Sequence, residues 1–294
     1  MTKTFKTAVA FRQALEQRLR TTAEAREVPL NTLRLKLTIE RLLARLFADA
    51  DPPWLLKGGY AMELRYRPNA RKTKDINLSV QAPHGSGHRK DRMEVIREQL
   101  QAAADADLGD YFQFLIGTPQ AEPQGAPQGG ARFPIEARLA GRVFGRFHVD
   151  VGVGDAVQGS SERLVGDDLL AFAGVAPAQA LAIPKAQQLA EKLHAYTFPW
   201  TDRPNTRSRD LVDLLLMLER GTPDVSDIKA AIEATFRTRH SHPIPERLPP
   251  PPDSWDAEFA ALAKEANLST HTLAEGIDRL TRYWDAHQLN QPSL

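Results

Sequence analysis

With 294 residues, 42% of them hydrophobic and 26% charged, and a net charge of +1, the chain can bury a core large enough for two subdomains, and wholesale disorder is excluded. It has no cysteine, which excludes disulfides and thiolate metal sites, and it has no apolar run of the about 18 residues that a membrane span needs. The N-terminal residues lack an apolar segment followed by a small-residue cleavage site, so the expected address is cytoplasmic with no membrane partner.

The small net charge hides an asymmetry. Residues 1–47 carry ten Lys/Arg against four Glu, and the chain from Asp210 onward carries fourteen Asp/Glu against eight Lys/Arg. A basic front half suits a phosphate-rich partner, and solvated helix faces of mixed charge would give the same count.

In chain order, residues 5–26 and Thr32–Ala48 have helical apolar spacing. In the second stretch Leu33, Leu37, Leu42, Leu43 and Phe47 form the stripe, Asn31 or Thr32 is the expected N-cap, and Asp51-Pro52-Pro53 is the stop. Trp54-Leu55-Leu56 reads as a short strand, followed by a Lys57-Gly58-Gly59 turn and a helix over Ala61–Arg67. Asp75–Val80 alternates polar and apolar, so a half-buried strand would put Asp75, Asn77 and Ser79 on one face. A helix is predicted over Asp91–Asp105 with Met93, Ile96 and Leu100 inward, then a strand over Tyr111–Ile116 and a Gln/Gly/Pro-rich loop over Pro119–Gly130. Arg132–Ala140 and Val143–Val151 read as a hairpin turning at Gly141. A short strand is expected at Leu181–Ile183, then a helix over Lys185–Tyr196 with Pro184 as its first residue. A polar loop over Phe198–Thr206 leads to a buried helix, Ser208–Arg220, and to further helices near 225–239, 253–266 and 272–287, with Pro249–Pro252 as a stiff connector. The expected organisation is an N-terminal helical segment (1–50) packed on an α+β core (51–185), followed by a helical C-terminal subdomain (186–294).

Three constellations can carry chemistry. In the first, Lys57, Gly58 and Gly59 end a strand, where backbone N–H groups can approach phosphate, and Thr73, Asp75 and Asn77 lie on or beside the next strand. Period-2 geometry aims Asp75 and Asn77 the same way, and magnesium prefers such oxygen ligands together with triphosphate oxygens. In the second, Asp150 on the later hairpin strand offers a further carboxylate, for metal or for an acceptor proton; His148 shares its face, and Asp155 lies in the loop beyond. In the third, Glu191-Lys192 on one helix face Arg207, Arg209, Asp210 and Asp213 on the next, either as a structural ion pair or as a lysine held against a triphosphate. There is no Ser-His-Asp order, HExxH or P-loop.

In order along the chain, WLLKGGYAMEL, RKTKDINL at 71–78, LAEKLHAY around Lys192 and RSRDLVDL at 207–214 resemble the AbiEii/AbiGii-type nucleotidyltransferase toxins, including the mycobacterial Men group, of the DNA polymerase β-like superfamily. The resemblance spans roughly 54–218. It implies a polymerase β-like core, a mixed sheet flanked by helices, that uses Mg2+ (or Mn2+) to transfer nucleoside monophosphate from an NTP to the 3′ acceptor end of tRNA. Aminoacylation and translation would be blocked, and a cognate antitoxin would restrain the enzyme. Carried over, Gly58 and Gly59 would cradle phosphate, with Lys57, Arg207 and Arg209 in the nucleotide site. Thr73 and Asp75 would fill the Ser/Thr-x-Asp positions, with Asp75 as the first metal ligand and Asn77 beside it; Asp150 is added as a third metal ligand from strand geometry rather than from a family motif. Lys192 would contact the nucleotide, and Asp210 or Asp213 would be its acidic partner. Phosphorylation of Thr73 would crowd the phosphate site with charge and act as an off-switch.

One position departs from the family pattern: Asp-x-Asp is Asp75-Ile76-Asn77 in this chain. A neutral amide oxygen implies weaker metal binding. A natural variant, a degenerate copy and an engineered inactive form all accommodate it. Two other readings keep the fold: nucleotidylation of a protein or small molecule, and an inactive nucleotide- or RNA-binding member.

Overall fold

Two helices precede the sheet. The computed structural model describes residues 5–80, 89–120, 126–201 and 204–291; residues 121–125 of the expected 119–130 loop and 202–203 of the expected 198–206 loop lie outside them. Helix α1 (Ala8–Ala25) starts at a Thr7 cap whose side chain accepts from the Ala10 N–H. Helix α2 starts earlier than predicted, at Leu30, with Pro29 as its N-cap, and runs to Leu46. Its stripe of Leu33, Leu37, Leu42, Leu43 and Phe47 is buried as the spacing requires. The Trp54 indole donates to the Leu46 carbonyl at 2.6 Å, tying the end of α2 to the first strand.

That strand, β1 (Trp54–Lys57), passes directly into α3 (Gly58–Tyr66). The helix therefore begins three residues before the predicted Ala61, and the glycines are its first turn. Strand β2 is Ile76–Val80, with Asp75 just before it. Ser79 is buried rather than solvated, because this central strand is covered on both faces at its far end. After α4 (Arg89–Ala104) come β3 (Phe112–Ile116), β4 (Gly130–Leu139) and β5 (Arg142–Val153). Tyr111 sits at φ +60°, outside the strand predicted to begin there. The β4–β5 hairpin turns through Ala140 and Gly141, both at positive φ (+51° and +69°), the conformation a two-residue turn needs to match strand twist. Strand β6 (Glu162–Val165), which the short charged sequence did not announce, and β7 (Gln179–Ala182) complete the sheet.

Among the described residues seven strands form the sheet, in the order β3-β4-β5-β2-β1-β7-β6. Pairings β1–β2, β3–β4, β4–β5 and β6–β7 are antiparallel, and β2–β5 and β1–β7 are parallel, so the sheet is mixed and the fold α+β, as expected. The C-terminal part is α5 (Lys185–Thr197), α6 (Ser208–Arg220), α7 (Val225–Arg239), α8 (Asp256–Glu265) and α9 (Leu273–Ala286). Pro184 is the N-cap of α5 rather than its first residue. Helix α9 opens on a reciprocal capping box between Thr272 and Glu275.

Two apolar cores result. One joins α1, α2 and α4 to the sheet; the other joins α5 to α9. Helix α3 belongs to both, with Tyr60, Ala61 and Leu64 in the first and Met62 and Tyr66 in the second. The helix that carries the glycine turn is thus clamped from both sides, and its N-terminus opens where the two cores meet.

Candidate active site

A cleft of about 580 Å³ opens there, lined by Lys57, Gly58, Gly59, Thr73, Asp75, Asn77 and Asp150 from the sheet side and by Lys192, Arg207, Arg209 and Asp210 from α5 and α6. Of the residues singled out from sequence, Asp213, His148 and Asp155 do not line it. Gly58 has φ +67°, and a Cβ there would stand 2.7 Å from the Asn77 amide nitrogen, so only glycine lets β1 turn into α3 against β2. At Gly59 a Cβ would come within 3.2 Å of Thr73 Oγ1 and 3.3 Å of an Arg71 nitrogen, which packs the loop before β2 onto the helix N-terminus. The Gly58 carbonyl accepts from Gln188 Nε2 of α5 at 2.7 Å, so the turn is held by the second layer as well.

The loop is shaped by its own polar groups. Thr73 Oγ1 accepts from the Asp75 N–H at 3.3 Å, and the Thr73 N–H donates to Glu63 Oε2 at 3.2 Å. Asp75 is exposed to the cleft. In the sheet register Asn77 pairs with Asp150, and Asp150 in turn pairs with Arg132 of β4. Arg132 holds both Asp150 oxygens, each at 2.7 Å. His148, two residues away on β5, is exposed.

Opposite this wall, Lys192 is almost fully buried. Its Nζ is 3.1 Å from Asp210 and 2.6 Å from Asp213. Burial works against the charge, but Asp213 and then Asp210 outweigh it and hold the ammonium above the ordinary lysine range. The two aspartates, three residues apart on α6, do different things. Asp213 is 1% exposed and takes a second, bidentate grip from Arg71 at 3.1 and 2.9 Å; Asp210 lines the cleft and also faces Arg207 at 3.6 Å. Arg207 lies over the Trp200 ring, 5.4 Å from its centroid.

Sequence reading missed several members of this site. Arg71 could have been suspected from the basic loop it opens. Arg239, at the end of α7, gave no signal, yet it and Lys57 both pair with the buried Asp155 and both lie 3.5 Å from Glu191. Burial pushes the Asp155 pKa up, but Lys57 and Arg239 together outweigh it and hold the carboxyl below the usual carboxylate range. Lys57 is therefore a neutralised member of a buried cluster at the cleft edge rather than a free cation.

The family "Nucleotidyl transferase AbiEii toxin, Type IV TA system" matches residues 41–288. The chain belongs to this family. It is a nucleotidyltransferase, and its family is one of toxins paired with antitoxins. Among solved structures it is similar to MenT4, a nucleotidyltransferase toxin from Mycobacterium tuberculosis, with 15% sequence identity and a TM-score of 0.52 over 96% of this chain and 99% of that one. At that identity the likeness concerns the fold. No curated protein sequence matches.

Nucleotidyltransferases generally work with divalent metal ions. The donor set fits one such ion: Asp75 offers a carboxylate with no ion pair among the described residues, and Asn77 an amide oxygen beside it. It fits a second ion less well, because both Asp150 oxygens are engaged by Arg132. Among the described residues no three carboxylates or histidines converge as a metal cage, and magnesium, which keeps several water or phosphate ligands, does not need one. No helix among the described residues is long and apolar enough to cross a membrane.

Proposed function

We propose that the chain transfers nucleoside monophosphate from an NTP to the 3′ acceptor end of tRNA, blocking aminoacylation and hence translation, until a cognate antitoxin restrains it. The observation that carries this reading is the cleft itself. A glycine-lined helix N-terminus and Thr73 stand on one wall, a doubly anchored Lys192 with Arg207 and Arg209 on the other, and Asp75 and Asp150 between them. Backbone N–H groups at the start of α3 and the cations opposite it suit a triphosphate laid between the walls. The basic lining also suits the phosphates of an RNA end.

The reaction forms a bond between the acceptor 3′ oxygen and the α-phosphorus and breaks the α–β phosphoanhydride, releasing pyrophosphate. Charge develops on the bridging oxygen as it leaves. Lys192, fixed by two carboxylates, would meet that charge without reorganising. Asp210 holds Lys192 from the cleft side and Asp213 from beneath. Asp150 would accept the hydroxyl proton once Arg132 yields one oxygen. Mg2+, or Mn2+ in its place, would be held by Asp75 and Asn77 with triphosphate oxygens, and it would supply electrophilic activation of the phosphate.

Incubating the protein with labelled NTPs, total tRNA and Mg2+ tests this. A slower-migrating labelled tRNA is the expected result. Absence of label in every tRNA with every NTP, for wild type and for Asn77→Asp alike, would refute it, and label in protein but not RNA would move the acceptor elsewhere.

A further inference from the structure

Four adjacent strands put Arg132, Asp150, Asn77 and Lys57 in a single row across the sheet. The register pairs Arg132 with Asp150, Asp150 with Asn77, and Asn77 with Lys57. Residues directly opposite on neighbouring strands share a face, so the row reads cation, anion, neutral amide, cation. Its far end is already satisfied, because Lys57 pairs with buried Asp155. At the near end the guanidinium forks onto both oxygens of Asp150, the strongest geometry available to that pair. Arg132 is 44% exposed and Asp150 13%, so the arginine comes in from the solvent rim and caps a carboxylate that faces the cleft.

Both facts bear on a divalent ion. A carboxylate with both oxygens in a guanidinium fork has one lone pair on each oxygen already taken, and the fixed positive charge beside it repels a metal cation. Asn77 removes the carboxylate that would otherwise stand between Asp75 and Asp150. The wall then carries two negative charges, one of which is already balanced by Arg132.

We propose that Arg132 is a positioning residue that keeps Asp150 out of metal coordination, so that the cleft takes one divalent ion, at Asp75 and Asn77, and a permanent guanidinium stands where a second ion would bind. This rests on the reading of Asp75 as a metal ligand. It also makes Asn77 and Arg132 complementary: a neutral residue at 77 and a cation at 132 each lower the divalent charge the wall can hold.

The test is Mn2+ binding to the full chain, followed by electron paramagnetic resonance of the free ion, with no nucleotide present. Wild type is expected to bind one ion, and Asp75→Asn to lose it. Arg132→Gln, with Arg132→Met as a second variant that keeps the apolar stem, is expected to bind Mn2+ on the order of tenfold more tightly, or to bind a second ion. Adding Asp150→Asn to Arg132→Gln should return binding to the wild-type value, and Arg132→Lys should stay close to wild type. Wild-type affinity and stoichiometry in both Arg132 variants, with Asp75→Asn still lacking the ion, would overturn the role of Arg132 and leave Asp75 as a ligand. No Mn2+ bound by wild type or by either variant would overturn both.

Discussion

Replacing Asp213 and Asp210 by alanine, one at a time, should separate folding from chemistry. Asp213 is 1% exposed and receives Arg71 at 3.1 and 2.9 Å and Lys192 at 2.6 Å. Deleting it leaves two cations buried with one fewer anion, and breaking a buried pair from one side costs about 3–5 kcal/mol. Asp210 also contacts Lys192, at 3.1 Å, but it lines the open cleft, and Asp213 stays behind to hold the lysine. Its removal should cost about 1 kcal/mol or less. Urea denaturation followed by circular dichroism measures both, and tRNA labelling at a temperature where both variants are folded measures turnover. Asp213→Ala should lose most of the stability difference, while Asp210→Ala stays near wild type in stability and loses turnover. Equal destabilisation by the two, or an Asp213→Ala loss under about 1 kcal/mol, would refute the division of labour.

Gly58→Ala should destabilise by about 1–2 kcal/mol, because the residue sits at φ +67° and its new Cβ would meet Asn77 at 2.7 Å, and it should also weaken NTP binding in a titration. Asn77→Asp should strengthen Mn2+ binding and raise turnover, both read in the assays above, since it adds a carboxylate beside Asp75. Thr73→Glu should abolish NTP binding while leaving the melting temperature close to wild type, because Thr73 faces the cleft rather than a core. Two buried groups should oppose each other with pH. Burial drives His194 down to about 3 and Glu40 up to about 7. Stability tied to neutral His194 is lost as pH falls below about 6.5, and stability tied to protonated Glu40 is lost as pH rises from about 4.5 through 7. His194→Asn should therefore reveal, in urea midpoints, a stability that rises as pH falls from 6.5 to 4.5, by up to about 1.4 kcal/mol per unit.

Much of the fold was legible because the apolar spacing is local. The stripe on α2, the alternation of Phe147, Val149 and Val151 on β5, and the nearly continuous leucines of α6 state their partners' side without the partners being known. Helix starts were misplaced where backbone geometry outweighed spacing. Helix α3 begins at Gly58, since the glycine pair permits a turn straight from the strand, and α2 begins after Pro29. Strand β6 was not seen because four residues, Glu-Arg-Leu-Val, carry too short a pattern, and their strand character comes from pairing with β7.

For the site, the chain by itself determined which residue types were available: the glycine pair, the Thr-x-Asp-x-Asn spacing, and a lysine one helix before two aspartates. It also carried enough of them in order to point to the family. Only the tertiary structure decided how they divide. Asp210 and Asp213 are equivalent by spacing, three residues apart on one helix, and differ because α5 and the Arg71 loop cover the second and leave the first open. Arg132 and Arg239, distant in sequence and without a motif, are part of the site because sheet register and helix packing deliver a charge to a carboxylate that burial has left in need of one. Sequence fixes which side chains exist, and the long-range pairing of strands and helices fixes which carboxylate meets which cation.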